Sequence, residues 1–173
     1  MLHLGRIRPV RMLSVLVAVG ALVTVLLVAG GSSSAATTGG CLLQGTANLT
    51  PGLTKTAKPT TYTFTGKFSN CKGTGKVTGG TVTASGSGTA SCTANTTSGT
   101  ATVSWNNGTT STIGFTTKGT GTLVQVAGSF TSGTFAGSKA KAELAFYTLT
   151  PQACNTVTGL PKASFIGPST VGV

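Results

Sequence analysis

The stretch Gly99–Lys118, Gly-Thr-Ala-Thr-Val-Ser-Trp-Asn-Asn-Gly-Thr-Thr-Ser-Thr-Ile-Gly-Phe-Thr-Thr-Lys, constrains the fold more than any other part of the chain. Ala101, Val103 and Trp105 precede Asn106-Asn107-Gly108, Ile113 and Phe115 follow it, and all five apolar residues hold odd positions. An apolar period of two marks a strand with one buried face, so the segment predicts a β-hairpin. Turn chemistry then selects the register. A two-residue loop at Asn107-Gly108 would pair odd positions with even ones and throw one arm's apolar set to the wrong face. A three-residue loop with Gly108 in the left-handed conformation keeps the whole set on one side, and it is the loop expected here. Trp105, the single tryptophan, is then a core anchor, together with Phe115 and, from an earlier strand, Phe64.

The same alternation recurs along the chain. In Thr60–Ser69 the aromatic residues Tyr62, Phe64 and Phe68 take even positions, and Thr61, Thr63, Thr65 and Lys67 take the other face. Thr81–Ser85, Thr122–Ala127 and Gly137–Thr150 read as further strands. Lys139–Phe146 consists of good helix formers, yet its parity is clean and no N-cap fits, so a strand is expected there too. Thr46–Thr50, ended by Pro51-Gly52, and Ala163–Ile166, ahead of Gly167-Pro168, complete the set. Many short strands with closely spaced turns predict an all-β fold. The expected architecture is an antiparallel β-sandwich, with a closed up-and-down β-barrel as the alternative.

The N-terminus reads as a targeting segment. His3, Arg6, Arg8 and Arg11 precede the apolar run Met12–Ala29, and Ser34-Ala35-Ala36 offers a small-residue cleavage site. Residues 1–36 are accordingly expected to be a signal peptide, with an uncleaved membrane anchor, a helix over about 12–29, as the alternative. Residues 37–45 are expected to be a flexible leader and 46–173 a single β domain, secreted or held at the cell envelope. Four cysteines, Cys41, Cys71, Cys92 and Cys154, in an exported segment without histidine read as two disulfides rather than metal ligands. Three pairings are open. Cys41–Cys71 with Cys92–Cys154 is favoured, because it ties the N-terminal strand to its neighbour and the middle of the chain to its last third.

Charge removes most chemistry from consideration. Beyond residue 36 the chain holds nine lysines, one acid (Glu143), no arginine and no histidine. Paired carboxylates for glycoside cleavage, a Ser-His-Asp or Cys-His site, and a carboxylate cage for calcium or magnesium are all out of reach. Gly73-Thr74-Gly75-Lys76 lacks the spacing of a phosphate loop and reads as a turn. No enzyme, metal or cofactor is expected. Lys55, Lys58, Lys67, Lys72 and Lys76 crowd the early part of the domain and are the candidate polyanion-binding residues, for a cell-wall polymer or another extracellular polyanion. The absence of arginine beyond the leader argues against specific nucleic-acid recognition. Membrane contact is expected only through the N-terminal segment, if that is retained. The role expected is a non-enzymatic binding or surface module with weak polyanion affinity; a small-ligand carrier or a secreted inhibitor is the alternative.

Four groups of residues carry a resemblance: Pro51-Gly52-Leu53-Thr54 after the first cysteine, Ser91-Cys92, Trp105-Asn106-Asn107-Gly108-Thr109-Thr110-Ser111-Thr112, and Gly133-Thr134-Phe135-Ala136-Gly137 ahead of the last cysteine. In these the chain resembles small exported β-rich proteins of actinobacteria. More distantly it is similar to the actinomycete chromoprotein apoproteins, immunoglobulin-like sandwiches that hold a small ligand, although its cysteine spacing and basic charge depart from theirs. The resemblance implies a secreted, disulfide-bonded β fold and brings no catalytic residues.

Overall fold

The computed structural model describes residues 39–172, and the expected signal helix lies outside them. Eight strands follow one another around a closed antiparallel barrel. They are β1 (Gly39–Leu53), β2 (Lys58–Lys72), β3 (Gly80–Ala90), β4 (Ala94–Trp105), β5 (Thr110–Thr120), β6 (Leu123–Gly133), β7 (Lys139–Phe146) and β8 (Leu160–Val171), with a short helix α1 (Pro151–Cys154) before the last. Each strand pairs with its neighbours in sequence, and β1 pairs with β8 to close the ring.

The barrel, not the sandwich, is therefore the architecture, and closure removes the open edges that a sandwich would leave. One face of every strand must then point to the axis. Leu43 and Ala47 of β1, Phe68 of β2, Val82 of β3, Val103 and Trp105 of β4, Ile113 and Phe115 of β5, Leu144 of β7 and Phe165 of β8 do so and are buried. The outer face is threonine: Thr65, Thr83, Thr102 and Thr112 stand side by side across β2–β5 in the register of the sheet. Cross-strand threonine pairs suit both the pleat and water.

The central hairpin has the expected register. Ala101 faces Ile113 and Gly99 faces Phe115, while Gly108, at φ 83°, closes a turn over Asn106–Gly108. Lys139–Phe146 is a strand. One expected boundary needs correction. The flexible leader ends sooner than residue 45, because β1 begins at Gly39. There it is paired with β8, and Cys41 is bonded to Cys71. β4 reaches back beyond the hairpin stretch to Ala94, with Asn95 and Thr97 continuing the inward parity of Trp105.

The two ends of the barrel differ. Around the start of β1, Trp105 stacks near Phe68 (5.4 Å between ring centroids) and meets Phe135 edge-on at 5.5 Å, with Phe130 behind. The indole N–H donates to Ser111 Oγ at 2.9 Å, and that hydroxyl donates to Thr134 O. Asn106 Oδ1 accepts from the backbone N–H groups of Thr78 (3.0 Å) and Gly79 (3.2 Å). This end is plugged. At the other end, residues 147–159 carry α1 as a strap whose Cys154 is bonded to Cys92 at the β3–β4 turn. In an eight-stranded ring the β7–β8 and β3–β4 connections lie on opposite sides, so the strap crosses the mouth.

Candidate functional site: the barrel interior

Between the aromatic plug and the strap lies a space of about 140 Å³. Its walls include Leu43, Ala47, Phe64, Val82, Phe115, Val126, Leu144 and Phe165, and Leu53, Ala90 and Leu149 bound it toward the strap. An eight-stranded barrel is just wide enough for side chains to fill it or for one small ligand. Here glycine decides how that width is shared. A Cβ at Gly45 would lie 2.8 Å from Phe165 Cζ, and one at Gly99 would lie 2.9 Å from Phe115 Cζ. Each large ring thus lies over a neighbouring strand that has been left bare. Phe64 packs edge-on against Phe165 at 5.6 Å and tilted against Phe115 at 6.1 Å, which fixes the rings at mid-barrel.

One wall of this apolar space is polar. Gly86 has no side chain, so the Tyr62 ring passes over β3 and its hydroxyl arrives at β4. There it donates to Ser98 O at 3.4 Å and accepts from Thr97 Oγ1 at 3.2 Å. Thr97 and Thr117 face one another across β4 and β5, with their hydroxyl oxygens 2.8 Å apart. Thr117 Oγ1 donates to Asn95 Oδ1 at 2.9 Å. Tyr62, Thr97, Thr117 and Asn95 all line the cavity and form a continuous ladder down its side. Burial pushes the Tyr62 phenol above its ordinary value of 10.0, and the hydrogen bond from Thr97 offsets part of that rise. The ladder is thus neutral at physiological pH.

The residues singled out from the sequence are placed as follows. Trp105 is in the plug, Phe115 is buried beside the cavity, and Phe64 is half-buried on its wall. The cysteines pair Cys41–Cys71 and Cys92–Cys154. The five candidate lysines are not brought together. Lys55 and Lys58 stand at the strapped end, and Lys72 and Lys76 at the plugged end. Lys58 and Lys67 are separated by about 30 Å along β2 at the usual rise of a strand. Sequence reasoning passed over Asn95, Thr97 and Thr117, although their odd positions continue the inward sets of Trp105 and Phe115.

No family model, curated protein or solved structure matches this chain.

Proposed function

We propose that this protein is a non-enzymatic binder of a small, largely apolar molecule held inside the barrel, exported to an oxidising compartment. The cavity carries the reading: a space of about 140 Å³ with mostly apolar walls and a strap across its mouth. Its size matters. Drug-sized ligands occupy sites of about 300–1,000 Å³, whereas an apolar cavity of about 150 Å³ takes a molecule the size of benzene. A single ring or a short branched chain fits, and a whole lipid does not. Leu123, Tyr147 and Val157 are exposed at the strapped end, and they give an apolar entrant a surface to meet before the strap yields. The two disulfides suit an extracellular or envelope setting.

The test is native mass spectrometry of the secreted protein together with an NMR titration of the emptied protein with toluene. Shifts at Phe64, Phe115 and Phe165, with a 1:1 complex, are expected. An unshifted spectrum at millimolar toluene would remove the reading.

A second reading rests on charge. Nine lysines against one acid give the domain a diffuse attraction for polyanions such as a wall polymer, with no single face committed to it. Retention on an anionic resin that falls steeply between low and physiological salt is its signature, and salt-independent retention would count against it.

A further inference from the structure

We propose that the Tyr62–Thr97–Thr117–Asn95 ladder recognises the polar end of the ligand, and that this ligand is a neutral, ring-sized molecule with one O–H or N–H donor, such as a phenol or an azole. The inference rests on the reading of the barrel as a small-molecule binder and adds the chemical class of the molecule.

Three observations carry it. The first is position: the ladder is the one continuous run of linked polar side chains on a cavity whose other sides are largely aliphatic and aromatic, while the hydroxyls of Thr60, Ser91 and Ser169 on the lining each donate to a backbone carbonyl. Small-molecule sites commonly take this form, with an apolar body and a few placed polar groups that fix orientation. The second is a count of protons. The Tyr62 hydroxyl is directed at Ser98 O, that of Thr97 at Tyr62, and that of Thr117 at Asn95 Oδ1. Thr97 and Thr117 also hydrogen-bond one another at 2.8 Å, where either hydroxyl can donate, so in every arrangement each of the three hydroxyl protons is committed to the ladder or to Ser98 O. The Asn95 amide nitrogen lies against Gly119. What the hydroxyls present to the cavity is therefore lone pairs, and lone pairs select a donor. A ligand that can only accept would leave both sides unmatched, which costs more than an absent hydrogen bond. The third is charge. Among the described residues Lys141 is the only charged one on the lining, and it belongs to the outward face of β7. A carboxylate or phenolate beside the ladder would have no counter-ion, and burying it unpaired is prohibitive.

The experiment is a binding series on the oxidised protein with four probes of similar size, read by NMR shifts and calorimetry. Toluene offers no polar group, anisole only an acceptor, phenol a donor, and benzoate a charge. Phenol is expected to bind about tenfold more tightly than toluene or anisole, and benzoate to give no saturable shift. Thr97→Val and Thr117→Val each bring phenol to within about twofold of toluene in the same variant. Melting curves of both variants report whether they fold, and if neither does, the phenol–anisole difference in the unsubstituted protein decides alone. Phenol binding no better than toluene or anisole overturns the recognition role of the ladder and leaves the cavity reading intact. Failure of all four probes, toluene included, removes the cavity reading and this inference with it.

Discussion

At the scale of single residues, the interior is organised by a division of space between glycines and rings. Gly45 and Gly99 are bare where Phe165 and Phe115 lie over them, and Gly86 is bare beneath Tyr62. A methyl at Gly99 would press on Phe115 and on the backbone of β3, so Gly99→Ala is expected to destabilise the barrel by about 1–3 kcal/mol in denaturant unfolding. Unchanged stability would show that the rings are not held this way. Tyr62 allows a second prediction, in pH. The folded state holds the phenol above its ordinary value, so its contribution to stability is complete below pH 10.0 and is lost as pH rises through the raised folded value. Tyr62→Phe removes hydrogen bonds worth about 1 kcal/mol and also this alkaline loss. The stability gap between the two proteins is therefore constant below pH 10 and narrows above it; a gap that widens with alkali contradicts the assignment. The residues behind both predictions were partly legible. Odd and even positions identify the inward set of every strand, and extending the parity of Trp105 back through Gly99 to Thr97 and Asn95 places them inside. What parity cannot convey is that a glycine on the intervening strand leaves room for a tyrosine to reach a threonine two strands away, because that depends on how strands are aligned.

At the scale of elements, local rules did well where a turn and two arms lie close in sequence. The Asn106–Gly108 loop followed from parity and the left-handed preference of glycine. Sandwich or barrel could not be chosen by the same means, because each hairpin looks alike in both and the choice rests on whether β1 meets β8. Pro168 and Gly167 hid the length of β8. They read as a stop, yet they lie where the β7–β8 ladder is interrupted between its Ala142–Ser169 and Ala145–Ile166 pairs, so the missing N–H of proline is tolerated. The strap is the element with a separable function. Its disulfide closes a loop of 62 residues and the other closes one of 30. Loop-closure entropy alone gives about 4.3 and about 3.6 kcal/mol, a small difference. Replacing either cystine by two alanines should therefore cost similar stability. Only Cys92→Ala with Cys154→Ala should free the mouth, raising the exchange rate of bound toluene at least about tenfold in NMR lineshapes. Equal exchange rates in the two variants would show that the strap does not gate the cavity.

At the scale of the whole molecule, the barrel is a ring cut at one place. Gly39 of β1 lies opposite Val171 of β8 in register, so the two ends of the described chain are neighbours in the sheet. Neighbouring strands are about 4.8 Å apart, a distance that a few glycine and serine residues span. The connection between β1 and β2, with Lys55, Thr56 and Ala57 exposed, contributes no aromatic residue to the plug and no cysteine to the strap. A chain opened between Thr56 and Ala57 and joined from Val173 to Gly39 should therefore fold to the same barrel. It exchanges one hairpin for another: the β1–β2 pairing becomes the end-to-end closure, and the β8–β1 pairing becomes local. Because the balance of local and distant pairings is preserved, its refolding rate should stay within about threefold of the original order, with a melting temperature a few degrees lower at most. A permuted chain that collapses without cooperative unfolding would mean that the β1–β2 connection does more than link two strands, and that closure of the ring depends on where the polypeptide begins.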